Sequence, residues 1–87
     1  MKPLKIEVRG RKDSYHVQTL LSWLRELRSF LEEEVGRPVT VNFVEEESDA
    51  PLLYIEGVLV FEGLPGEEGY LIEIVKSWAN RLGTRSL

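Results

Sequence analysis

Near the start of the chain Leu4, Ile6 and Val8 alternate with Lys5, Glu7 and Arg9. That period of two predicts a strand with one apolar and one charged face. The rhythm then changes. From about Ser14 to Val35, Val17, Leu20, Leu24, Leu27 and Leu31 recur every three or four positions, with Leu21 widening one flank. This predicts an amphipathic helix. Asp13 or Ser14 can cap its first turn, and Gly36 with Pro38 just beyond predicts its end. Alternation returns in Val39, Val41 and Phe43 against Thr40, Asn42 and Val44. Two apolar runs follow, Leu52–Ile55 and Val58–Phe61, around Glu56-Gly57, where glycine supplies the positive φ of a tight hairpin. Leu64-Pro65-Gly66 breaks the chain. A second helix is expected from about Glu67 to Leu82, with Leu71, Ile74, Val75, Trp78 and Leu82 as its apolar face and Gly83 as its stop. The tail Thr84–Leu87 is expected to be loose.

The predicted order is therefore β-α-β-β-β-α. Strand, long helix and strand form a parallel unit with a right-handed crossover. The expected fold is α/β: a βαβ unit joined to a ββα unit in one four-stranded mixed sheet. The connection Glu45–Ala50 is too short to hold a helix and two turns. A βαββαβ arrangement would need a strand after the second helix, which Gly83-Thr84-Arg85-Ser86-Leu87 cannot supply. The length of 87 residues fits a single domain with a modest core.

A proline stands at the door of the third strand, in Asp49-Ala50-Pro51-Leu52. Physically this needs little explanation, since a residue without an amide donor is tolerated at a strand's first position. The element order together with this proline also resembles the thioredoxin-like fold, in particular its small glutaredoxin-like members. The stretch APLLYIEGVLVFEGLPGEEGYLIEIVKSWA, from Ala50 to Ala79, is similar to their C-terminal half. The resemblance implies a cis Ala50–Pro51 bond facing the place where the family carries its redox site, between the first strand and the first helix. Here that place reads Arg11-Lys12-Asp13-Ser14-Tyr15-His16. The family's C-x-x-C is absent, and so is its helix between strands two and three. That helix covers the sheet face opposite the other two, so by the resemblance its loss implies both helices on one face here and an open face opposite.

The sequence contains no cysteine, which excludes thiol–disulfide chemistry, disulfides and thiolate metal sites. No cofactor is expected. His16 is the one histidine, so one chain cannot build a multi-histidine metal centre. The formal net charge of −4 argues against bulk affinity for nucleic acid. No run is long and apolar enough to span a bilayer, and the charged start MKPLKIEV is not a signal peptide. A soluble, cytoplasmic protein without a membrane partner is expected. One Gln, two Asn and one Met beside many Glu, Lys and Arg lean toward a thermophilic source.

Three functional hypotheses remain open. The first is a redox-inactive interaction domain that forms a homodimer or takes an unidentified protein partner. The hairpin is apolar on both faces, and exposed apolar patches and free strand edges mark partner surfaces. Tyr54, Leu59 and Phe61 are its expected contacts, with Trp23 and Phe30 as a second surface. His16, Trp23 and Phe30 lie seven apart along one flank of the first helix, where the plain alternative is a wide core face. The second hypothesis is a small-anion or phosphate site. Arg11 and Lys12 precede a helix N-terminus, where free amides favour anions, and Asp13, Ser14, Tyr15, His16 and Pro51 surround the same place. A solvated cap is the favoured reading of these residues, because no glycine-rich phosphate loop is present. The third is an enzyme using Ser14, Tyr15 or His16, although Ser14 and His16 diverge on a helix start and no orienting carboxylate is identifiable. The carboxylate runs Glu32–Glu34 and Glu45–Asp49 read as solvated charge.

Overall fold

A computed structural model describes residues 2–84, and for residues 82–84 the backbone alone. Strand β1 (Leu4–Gly10) leads into helix α1 (Tyr15–Val35), followed by β2 (Val39–Glu45), β3 (Leu52–Ile55), β4 (Val58–Glu62) and helix α2 (Glu68–Thr84). The strands form one mixed sheet in the order β2-β1-β3-β4. β1 and β2 are parallel, while β3 runs antiparallel to both β1 and β4. This is the expected α/β architecture.

The register explains where the core sits. Leu4, Ile6 and Val8 lie beside Val39, Val41 and Phe43 on one side, and Ile6 and Val8 beside Ile55 and Leu53 on the other. The apolar halves of these strands therefore share one face. Helix α1 buries Val17, Leu20, Leu21, Leu24 and Leu31 on it, and α2 adds Leu71 and Val75. The helices touch each other, and Lys76 Nζ pairs with Glu34 Oε1 at 2.9 Å across their seam. No described buried side chain carries an unsatisfied polar atom.

Local chemistry sets the boundaries. Ser14 is the N-cap of α1: its Oγ accepts the Val17 amide at 3.4 Å. Gly36, at φ 75°, closes the helix and donates its amide to the Glu32 carbonyl at 2.9 Å. The Glu32 side chain then accepts the Val39 amide at 2.9 Å, so the end of α1 is tied to the start of β2. Glu56 and Gly57, both with positive φ (52° and 80°), make the hairpin turn.

Some expectations change. Helix α2 continues past Gly83 to Thr84. A glycine costs about 1 kcal/mol in a helix interior and is tolerated there. Residues Arg85–Leu87 of the expected loose tail lie outside the described residues. The Ala50–Pro51 bond is trans, not the cis form that the resemblance implied, and Pro51 is buried at the start of β3. The hairpin is not a regular ladder. Leu53 pairs with Phe61 and Tyr54 with Leu59, which leaves Val60 as an extra residue in a bulge.

Candidate functional site

The residues before α1 are held by the loop that follows β2. The Gly10 carbonyl accepts the Glu46 amide, and Arg11 donates its amide to the Ser48 carbonyl, both at 2.9 Å. Glycine is needed at position 10 for space. A Cβ there would lie 2.7 Å from Val17 Cγ2 and 3.2 Å from the Ser48 carbonyl oxygen, at φ 155°. The Ser14 hydroxyl donates to the Asp49 carbonyl at 2.7 Å while it caps the helix. The acidic loop is thus fastened across the start of α1.

This arrangement divides the six residues Arg11–His16 between two clefts. Arg11, Lys12 and Asp13 line one of about 330 Å³ together with Glu45, Glu46 and Glu47. Arg11 Nε lies 3.3 Å from Asp13 Oδ1 and 3.6 Å from Asp49 Oδ1. The hydrogen bond from Arg11, and then its charge, hold the Asp13 carboxyl below its ordinary range, and the same contacts raise Arg11. His16 lines the other cleft, of about 400 Å³, with Asp49, Ala50, Pro51, Gly63 and Leu64. Tyr15 is 77% exposed and meets the His16 ring edge-on at 5.8 Å. The first cleft is a mixed-charge groove dominated by carboxylates. The second is weakly polar and brings His16 and Pro51 together. Ser14 is engaged as cap and loop anchor, which leaves no serine–histidine pair. Among the described residues, no group of His, Asp or Glu is placed to hold a metal ion.

The open sheet face is mostly charged. Arg9 Nε contacts Glu7 Oε1 at 2.6 Å, its Nη1 lies 3.4 Å from Glu46 Oε2, and its guanidinium sits 4.0 Å from the centre of the Tyr54 ring. These contacts with Glu7 and Glu46 raise the Arg9 pKa. Register places Lys5, Glu7, Arg9, Thr40 and Asn42 on this face with Leu52, Tyr54 and Leu59. Leu52 and Tyr54 are half-buried and Leu59 is exposed. The open face is therefore less apolar than the hairpin sequence suggests.

The remaining apolar surface lies elsewhere. The bulge lets both Val60 and Phe61 pack toward α2. Phe61 meets Tyr70 edge-on at 5.6 Å, and a cleft of about 430 Å³ runs from there past Ile74 to Trp78. Tyr70 (49%) is exposed at this cleft, while Val58 (43%) and Leu59 (41%) are exposed on β4 outside its lining. Of the two aromatic residues expected on α1, Trp23 packs half-buried against the core, while Phe30 is 46% exposed. His16 is exposed too, so the seven-residue stripe does not act as one surface. Tyr70 and Val60 were missed as surface residues. The recurrence of Tyr70, Ile74 and Trp78 on one helix flank was the signal for the first, whereas the bulge that turns Val60 has no local signature.

Comparison of the chain with protein-family models, curated proteins and solved structures finds no match. Among the described residues no helix is long and apolar enough to cross a membrane.

Proposed function

We propose that this chain is a redox-inactive, thioredoxin-like interaction domain of the cytoplasm that associates with a second copy of itself through its hairpin. The observation that carries the reading is the outer strand β4, an unpaired edge with Val58 and Leu59 exposed. Exposed apolar patches at free edges mark partner surfaces. The thioredoxin-like part is supported by the parallel β1–β2 pair, the adjoining antiparallel hairpin, the shared helix face, and Pro51 opening β3 near the start of α1. The absence of cysteine makes such a domain redox-inactive. The anion-site alternative gains nothing from the geometry, because Arg11 is paired with Asp13 and Asp49 and three glutamates border the same cleft.

Light scattering across a dilution series tests the reading. A mass near 20 kDa, twice the 10.0 kDa of one chain, is expected at the concentrated end. A mass that stays at one chain throughout would end it.

A further inference from the structure

One flank of α2, with Tyr70 exposed and Ile74 and Trp78 half-buried, has an order that is complementary to its own reverse. Glu67, Tyr70, Ile74, Trp78 and Arg81 recur every three or four residues and so share one side of the helix. Glu67 precedes α2 but already belongs to its first turn, since its carbonyl accepts the Tyr70 and Leu71 amides at 3.1 and 3.3 Å. Ile74 is the midpoint. Tyr70 and Trp78 stand four residues to either side of it, and Glu67 and Arg81 seven. The sequence of kinds is acid, aromatic, aliphatic, aromatic, base. Arg81 is held at this flank, its guanidinium 4.7 Å from the centre of the Trp78 ring.

A two-fold interface requires such an arrangement, because each residue i that meets j must also be met by it. We propose that two copies dock through this flank with their α2 helices antiparallel about Ile74, placing each Tyr70 against the other copy's Trp78 and each Glu67 against the other copy's Arg81. This rests on the self-association reading and gives it a surface and an orientation. Charge complementarity selects a second copy. Within one chain Glu67 and Arg81 are about 21 Å apart along the helix axis, at about 1.5 Å per residue, and cannot meet. In an antiparallel pair each acidic end meets a basic one, whereas a parallel pair would set like charges together. The bulge at Val60 makes the edge of β4 irregular, which disfavours a continuous sheet between copies. It also turns Val60 and Phe61 toward the cleft, so the contact is made by side chains rather than by a backbone ladder.

The test is the mass of the full chain by light scattering over a dilution series, with folding checked by circular dichroism. The wild type is expected to be a dimer and Ile74→Glu a monomer. Glu67→Arg and Arg81→Glu should each weaken the dimer by roughly three- to tenfold, as two exposed ion pairs per interface allow. The double variant Glu67→Arg/Arg81→Glu should return close to wild-type affinity, which a purely structural role for either residue would not produce. Thr40→Lys, on the open sheet face away from both α2 and the hairpin, should leave the mass unchanged. If Ile74→Glu fails to fold, the exposed charge variants still decide the matter. A wild-type dimer unaffected by the single charge variants, or not restored by the double one, would overturn this docking and leave self-association through another face standing. A wild type that is monomeric throughout would overturn both.

Discussion

In the half built from β1, α1 and β2, the strand faces are sorted into apolar and charged, and the large apolar residues left exposed are scattered, with Tyr15 and Phe30 fifteen positions apart on α1 and Val44 on β2. Leu4, Ile6 and Val8 are fully buried, and Glu7 and Arg9 pair with each other on the opposite side of the sheet. The half built from β3, β4 and α2 is different. Leu53, Ile55, Leu71 and Val75 are fully buried, yet Val58, Leu59 and Tyr70 remain between 41% and 49% exposed. The contrast shows that an apolar run on both faces of a hairpin does not locate a patch. On the open face the Arg9 guanidinium stacks on Tyr54 while Leu59 stays exposed, and on the other side Phe61, Tyr70, Ile74 and Trp78 line a cleft between β4 and α2.

The largest effect expected within this comparison separates a core residue from a flank residue. Leu24→Ala, at a fully buried position in α1, should cost about 2–5 kcal/mol of stability. Ile74→Ala, on the half-buried flank, should cost about 1 kcal/mol or less at concentrations where the chain is monomeric, because less apolar surface leaves the core. Urea unfolding of both variants measures the difference. Equal losses would make the flank part of the core and erase the contrast.

A smaller effect tests how the first half is fastened. Ser14→Ala removes both the cap on Val17 and the hydroxyl that holds Asp49, and should cost about 1 kcal/mol. Hydrogen exchange should quicken in the first turn of α1 and in the 46–51 loop together. Quickening in the helix alone would show that the loop is held by other contacts.

The smallest effect is electrostatic. The Arg11 hydrogen bond and charge lower the Asp13 pKa in the folded chain. A carboxyl depressed on folding adds stability above its unfolded pKa, and that contribution is lost as pH falls through the folded value. NMR titration should therefore find Asp13 below the ordinary aspartate range, and Arg11→Ala should move it back up. An Asp13 that titrates normally in the wild type would show that the pair does not persist in water. At such exposed positions, solvent screens most of its effect on stability.

The elements and their ends were largely legible because their causes are local. Alternation marks β1 and β2, the spacing of Val17 to Leu31 marks α1, and Ser14, Gly36 and Glu56-Gly57 act on backbone groups within a few residues. Local rules also misled. Gly83 reads as a helix stop, but α2 absorbs it, and Pro51 opens its strand through a trans bond. In the region before α1, the basic residues and Asp13, the nearer partner of Arg11, were visible in the chain, but Asp49 and the glutamates of the same cleft arrive from the loop after β2.

Periodicity and turn chemistry were enough for the order of elements and the core faces of β1 and β2, because each depends on contacts close in sequence or on a pattern repeated along it. Three things were decided in three dimensions. Arg9 covers Tyr54 because β1 and β3 are neighbours. The bulge turns Val60 and Phe61 the same way because β4 carries one residue more than β3 in that pairing. The flank of α2 stays exposed because β4 is the last strand of the sheet. Each depends on which strands lie side by side, and that choice is made by burial summed over the whole chain rather than by any short stretch of it.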